Sequence, residues 1–409
     1  MSRPHVVRAA RSATTARLLA ALAACVVFGG SVAAIAIAAT SGGPVPAPAP
    51  LTDAVHAALA APRVAGVSAR IAFTNRLIDS GAVEGSDPLL SGATGRLWVG
   101  AQHRFRLELQ SERGDVQIVS DGTQIGIYDP ALDIAYRITL PPRNSDSAKD
   151  TGESDHVPTL AEIQADINKL AQHAQLSGAT PTDVAGQPAY QVRIAPQHDP
   201  GLVGGAELAW DAATGVPLRF AVYAKGDHSP VLELKATDIS YGDVPASTFD
   251  VSPPPGVKVT DVNQSHPDTA DRSGAAPDGK APAEVTGVDA VSRALPFTLS
   301  APPTLAGMAR DQVRLLEMGD KQAALVTYGQ GLGGLVVLEL AGQEKAALPT
   351  RHGHEGPGLS LPTVDVGGAK ATVLPTALGT IVRFTRDGVT YVVAGSVPQS
   401  VAQAAARGL

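Results

Sequence analysis

The stretch "VQIVSDGTQIGIYDPALDIAYRITLP", residues 116–141, reads as three short strands divided by two turns. Val116–Ser120 is followed by Asp121-Gly122, a pair that tolerates positive φ at both positions and so predicts a type I′ hairpin. Residues 123–128 then meet Asp129-Pro130, a second reversal signal. In the third run Ile134, Tyr136, Ile138 and Leu140 alternate with Ala135, Arg137 and Thr139. A period of two places one set against a core and the other in water.

The same alternation recurs outward from this stretch. In "RFRLELQ" Phe105, Leu107 and Leu109 face one way while Arg104, Arg106 and Glu108 face the other. Strand-like runs also cover residues 67–75, 93–101, 187–196, 206–225 and 230–242. Two helices interrupt them. One is "LTDAVHAALAA" at residues 51–61. The other starts at Thr159 and Glu162, spaced as a capping box, and carries an apolar stripe of Leu160, Ile163, Ile167, Leu170 and Ala174 that Gly178 can end. Hairpin-linked strands with one greasy face predict a large curved antiparallel sheet, an unclosed β-barrel, wrapped over those helices. The prolines at 253–255 are expected to end its pairing.

Composition agrees with a β-rich, turn-rich chain of 409 residues: charged residues are 17%, aromatics 4%, and there are 42 glycines and 32 prolines. The net charge of −7, with no dense basic stretch beyond the N-terminus, argues against nucleic acid as a partner. One cysteine, Cys25, excludes an internal disulfide and a multi-cysteine metal site.

Residues 1–17 carry four arginines and no acid, and are expected to stay in the cytoplasm. Residues 18–39 are then free of charge, which at 1.5 Å per residue makes a helix of about 33 Å, long enough for a single membrane pass. The span assigned to the anchor is 18–40. Its length favours a retained anchor over a signal peptide cut after Ala36-Ile37-Ala38, or over a lipoprotein acylated at Cys25 in "LAAC". Each of the three puts the rest of the chain outside the plasma membrane. A proline-rich spacer follows at 41–50, then a domain at 51–262, a polar linker at 263–284 expected to be disordered, and a small α+β domain at 285–409. The fold class is therefore α+β.

Four segments carry a resemblance: "GRLWVGAQHRFRLEL", "VSDGTQIGIYDPALD", "WDAATGVPLRFAVY" and "DISYGDVPASTFDVSPPPG". In order and spacing they resemble the LolA-like superfamily over about residues 55–260. That group includes the outer-membrane lipoprotein carrier and an envelope-stress regulator that binds an anti-sigma factor. The resemblance implies a half-barrel with a hydrophobic cavity for acyl chains, acting by binding and without a cofactor. The C-terminal domain resembles a small α+β module found after such domains in Gram-positive envelope proteins. The chain departs from the carrier in its anchor and in this added domain.

Motifs for chemistry are sparse. "GQGLGG" at 329–334 satisfies G-x-G-x-x-G, but the β-run "LVVLEL" follows where a dinucleotide site needs a helix, so a glycine hairpin is the reading. "RHGHEG" sets His352 and His354 two apart in a Gly/Pro-rich loop; a solvated loop outweighs a metal site there. His173 reads as a polar-face residue of its helix. The chain contains no G-x-S-x-G, H-E-x-x-H, S-x-x-K or Walker motif, so no catalytic residue, metal ligand or cofactor is assigned and the chain reads as a non-enzyme.

The apolar face remains. Its candidate cavity wall is Leu97 and Val99; Phe105, Leu107 and Leu109; Ile125 and Ile127; Tyr136 and Ile138; and Leu218, Phe220 and Val222. At about 0.8 kcal/mol per buried methylene, a dozen carbons gain roughly 10 kcal/mol before entropic costs, enough for binding by shape and desolvation. The expected guest is the acyl chain of a lipid or lipoprotein. The alternative is a regulator whose partner is an anti-sigma factor or another envelope protein. A filled core with a purely structural role is the third reading.

Overall fold

The computed structural model describes residues 43–78, 88–110, 115–130, 134–140, 157–197, 201–253, 255–262, 285–318, 321–342 and 361–409. The expected membrane segment at 18–40, the linker at 263–284 and His352 and His354 lie outside them. No helix among the described residues is long and apolar enough to cross a membrane.

The first unit is a 13-stranded sheet made of two meanders. One runs β1 (Gly66–Asn75), β2 (Ala93–Gly100), β3 (Phe105–Leu109), β4 (Val116–Ser120), β5 (Gln124–Asp129) and β6 (Ile134–Thr139). The other runs β7 (Ala174–Leu176), β8 (Thr180–Val184), β9 (Gln187–Pro196), β10 (Val203–Asp211), β11 (Pro217–Ala224) and β12 (Leu232–Tyr241). Antiparallel pairing of β1 with β12 joins the two, with a bulge between Arg70 and Ile71 that adds bend. Inner faces of both meanders meet in one buried cluster reaching from Leu109 and Val116 through Ile71 to Leu218 and Val184. The three strands expected within 116–141 are present, with Ile127 opposite Tyr136 and Ile125 opposite Ile138.

Four details correct the sequence reading. The turn after β4 is not a type I′ pair: Gly122 is left-handed at φ 94°, whereas Asp121 is absent from the positive-φ residues. Asp121 instead accepts hydrogen bonds from the Thr123 and Gln124 amides, both 2.7 Å, and that side-chain capping fixes it as the first turn residue. Partial burial opposes ionisation of Asp121, yet those bonds hold its carboxyl below the usual value. Second, the capped helix is shorter than its stripe. It spans Leu160–Leu170 with the Thr159–Glu162 capping box in place, and residues 174–176 leave it to pair with β9. Third, pairing resumes beyond the prolines: β13 (Lys258–Val262) lies parallel to β6. The tail crosses the outer face to get there, and only glycines admit it. A Cβ on Gly100 would stand 2.8 Å from the Phe249 ring, and one on Gly126 2.5 Å from Val251.

The fourth concerns the helices. α1 (Leu51–Ala60) lays Ala54, Leu51 and Val55 on Tyr190, Val192, Leu208 and Trp210 of β9 and β10, a satellite core at one wing. α2 (Pro88–Ser91) is a single turn, and α3 (Leu160–Leu170) rests on α1 with Ile163 alone fully buried. No helix among the described residues therefore fills the sheet's centre.

The second unit is an eight-stranded antiparallel sheet, ordered β14-β15-β16-β17-β21-β20-β19-β18. Its strands run from β14 (Thr304–Leu305) through β15 (Met308–Met318), β16 (Lys321–Tyr328) and β17 (Leu335–Ala341) to β18 (Thr363–Val366), β19 (Ala369–Thr376), β20 (Gly379–Arg386) and β21 (Val389–Gly395). α4 (Val288–Ala294) and α5 (Gln399–Arg407) cover one face and close a dry core that includes Val326, Val337, Val382 and Val393. The glycine-rich 329–334 segment joins β16 to β17 through a 3-10 turn, with β17 directly after it. Backbone bonds tie the two units: the Ala377 amide donates to Leu77, and the Leu202 amide to Ser396, at 2.8 and 3.0 Å.

Candidate functional site

A concavity follows from the topology. Where β1 bends against β12, small side chains on the central strands β1, β2, β11 and β12 leave space. Ala69, Gly66 and Ala236 fill little volume beside Val67, Ile71, Leu97 and Ile239, and a cavity of about 390 Å³ results. That is the lower part of the range for small-molecule sites, which are mostly apolar with few polar groups. Phe220 stands on its wall and is 46% exposed, a large apolar ring left facing open space.

Four of the twelve expected wall residues line this cavity: Leu97, Val99, Leu218 and Phe220. Phe105, Leu107 and Leu109 continue the same face one strand along, opposite Val99, Leu97 and Gly95, without reaching it. Val222 sits further down β11, opposite Leu232. Ile125 and Ile138 pair on the far wing, and Ile127 and Tyr136 border a separate small cleft of about 30 Å³ under the crossing tail. Sequence reasoning passed over Val67, Ala69, Ile71, Leu234, Ala236 and Ile239. The alternation in "VSARIAFTN" and "LELKATDIS" carried them, but the β1–β12 closure that brings them together spans the whole domain.

Polar groups gather in two places. The first is a cross-strand network over β9–β12. Glu207 accepts from Arg193, Arg219 and the Tyr223 hydroxyl at 2.8, 2.7 and 2.6 Å, and Arg219 also donates to Glu233 at 2.6 Å. Burial alone would raise the Glu207 carboxyl; the bonds from Tyr223, Arg219 and Arg193 outweigh it and hold the group ionised to lower pH than usual. Burial likewise opposes the Arg219 charge, and its partners reverse that, so Arg219 is a fixed cation. Arg219 lines the cavity, but its charge is neutralised in place. The second place is the cavity's end, where Arg63, Gln102 and His103 complete the lining. Gly66 pairs with Gly100, so the segment entering β1 and the β2–β3 turn lie side by side there.

No protein-family model matches the chain, and no curated protein matches it. Among solved structures it is similar to the Pseudomonas aeruginosa MucA/MucB complex, at 16% identity and TM-score 0.38, covering 87% of this chain and 96% of that one. It is similar to an uncharacterized conserved protein from Thermus thermophilus at 12% identity and TM-score 0.31, covering 52% of this chain and 97% of that one. A third is a putative outer membrane lipoprotein-sorting protein domain from Vibrio parahaemolyticus, at 14% identity and TM-score 0.15, covering 43% of this chain and 85% of that one.

Proposed function

We infer that the chain is a membrane-anchored, extracytoplasmic binding protein whose first unit takes up an acyl chain, from a lipid or a lipoprotein, and that it acts by binding rather than catalysis. The observation that carries this reading is the apolar cavity between the central strands, with Phe220 46% exposed on its wall. At roughly 30 Å³ per methylene, close to one water's share of the liquid, its 390 Å³ suits a chain of about a dozen carbons. The test is displacement of a fluorescent fatty acid from the full chain held in amphipol, alongside Ala236→Phe, which plugs the cavity. Saturable displacement that Ala236→Phe abolishes is expected. Absence of displacement, or displacement untouched by the plug, sinks the reading.

A second reading has its own support. α4 and α5 leave the opposite face of the eight-stranded sheet outside the core, where Val336 is 38% exposed and Leu325, Leu338, Ile381 and Val392 are half-buried. Such a face suits a protein partner, an anti-sigma factor or another envelope protein, and a regulatory role. Capture of one envelope protein by the full chain, lost in Val336→Lys, supports it; capture unaffected by that change counts against it.

A further inference from the structure

We propose that the first unit stands directly on the bilayer entered by residues 18–40, with the β8–β9 end of its sheet, and the cavity that reaches that end, against the lipid head groups. This rests on the anchored reading above and adds which surface meets the membrane.

The alternating prolines at 44, 46, 48 and 50 predict an extended tether that holds the domain away from its anchor. In the structure the spacer is instead fastened to the wing of the sheet. Gly43 sits so close to β8 that a Cβ there would run into the Asp183 carboxylate. Four residues on, the Tyr190 hydroxyl of β9 donates to the Ala47 carbonyl at 2.6 Å, and Ala49 and Leu51 pack against the cluster of Tyr190 and Trp210. A proline-rich run has few amides but keeps every carbonyl, so a side-chain donor such as Tyr190 suits it.

Little chain is left to act as a tether. By sequence only Ser41 and Gly42 separate Gly43 from the assigned anchor. At about 3.8 Å per step, Gly43 stands no more than about 11 Å from Thr40. The head-group layer beyond the hydrocarbon is itself about 5–8 Å deep. Gly43 and the β8–β9 turn, one residue beyond the Asp183–Pro188 pair, therefore lie in that layer or just above it.

Several strands share the rim to which this turn belongs. The Ala212 amide, in the β10–β11 turn, donates to Pro188 at 2.9 Å, and Gly215 of that turn lies so near the last residues of α1 that a Cβ would collide with the Ala58 carbonyl. Further along, the Gly242 amide after β12 donates to Gly66 at the start of β1, and Gly66 pairs with Gly100 at the end of β2. Gly66, Gly100, Val216 and Pro217 also line the cavity, so the cavity reaches this rim. Leu59, in the last turn of α1, is 39% exposed, an apolar side chain suited to the interfacial layer. A guest drawn from the same bilayer meets the cavity at the rim that touches it. The far rim carries the β11–β12 turn, roughly 25 Å away along the eight residues of β11.

The experiment uses the full chain with Cys25→Ser and one added thiol, either Ala213→Cys on the near rim or Ser229→Cys on the far one, both at exposed positions. Each thiol is labelled with bimane, and the chain is reconstituted into phosphatidylcholine vesicles containing a lipid with a nitroxide head group. A carbonate wash first tests whether the chain stays in the bilayer. Quenching at 213 should exceed that at 229 by at least about fivefold, given their separation of roughly 25 Å. A twelve-residue glycine-serine insertion after Gly42, with a free reach of roughly 20 Å, should bring that ratio toward one. A wash that strips the chain from the vesicles fails the anchored reading and this one with it. A retained chain whose two sites quench equally, or whose ratio survives the insertion, overturns the docked rim and leaves the anchor standing.

Discussion

Glu207 and Glu339 are buried one in each sheet, and the two sheets hold them differently. Glu207 is clasped by Arg193, Arg219 and Tyr223, which keep it ionised against the cost of burial. Glu339 is fully buried in the middle of the second sheet's apolar face. It accepts one backbone hydrogen bond, from the Ser300 amide at 3.0 Å, while its Oε1 meets no partner among the described residues. Burial pushes Glu339 up to about 7 and the nearby Tyr328 hydroxyl to about 12. The interiors differ in the same sense. The second core is filled between sheet and helices, so an awkward acid can be tolerated by neutralising it. The first sheet clasps Glu207 in a cross-strand network and leaves part of its interior open, although Asp183 Oδ2 and Trp210 Nε1 there meet no hydrogen-bond partner among the described residues. For these two acids satisfaction and filling are thus distributed oppositely: the clasped Glu207 lies in the sheet with the cavity, and the half-satisfied Glu339 in the sheet with the packed core.

The sharpest break of that contrast is Arg219→Leu. It takes the shared cation from Glu207 and Glu233, leaving Glu207 with Arg193 and Tyr223 alone, and should destabilise the first unit by about 3–5 kcal/mol, the usual effect of breaking a buried ion pair from one side. Both tryptophans of the chain, Trp98 and Trp210, lie in this sheet, so their fluorescence during denaturant unfolding reads it alone. A change under about 1 kcal/mol would mean the network is ornamental.

Next in size is a matched pair of truncations. Leu335, 1% exposed, belongs to the filled core, and Leu335→Ala should cost about 4 kcal/mol. Leu97 already borders empty space, and Leu97→Ala should cost nearer to about 2 kcal/mol because less packing is lost. Hydrogen exchange in β17 and tryptophan fluorescence report the two sites. Equal costs would mean that the cavity wall is packed as tightly as the second core.

Glu339 gives a pH signature of opposite sign to Glu207. Its carboxyl titrates near 4.5 when unfolded and near 7 when folded, so between those values the folded state binds more protons. Stability of the second unit should therefore fall as pH rises through that window, with a deficit on the order of 3 kcal/mol above it. Glu207, held below its ordinary value, instead contributes stability above the unfolded carboxylate range that is lost as pH falls. Glu339→Gln should flatten the second unit's profile and stabilise it at pH 8 by about 2 kcal/mol, the new amide donors offsetting part of the gain. A slope that persists in the variant assigns the titration elsewhere.

Much of this fold was legible because it is written in local patterns. Strand alternation through Phe105, Leu107 and Leu109 and the Thr159–Glu162 cap depend on neighbours a few residues away. The misses are long-range. Residues 174–176 have the composition of a helix end but are claimed by β9, and β13 pairs with β6 across more than a hundred residues. The cavity is a property of closure between β1 and β12, so the sequence pattern indicated an apolar wall without locating its void. The β2–β3 turn was least visible of all. Gln102 and His103 look like ordinary polar turn residues, and only their φ values set them apart.

The β2–β3 turn supports the smallest effect. The turn at Gly186, left-handed at φ 75°, already has its glycine in place and has no stability to gain from one. Gln102→Gly removes a Cβ from a left-handed position and should stabilise the first unit by about 1 kcal/mol in denaturant unfolding, since glycine adopts φ 59° without steric cost. A loss of stability instead would mean that the Gln102 side chain holds this turn by a contact worth more than the strain of its backbone.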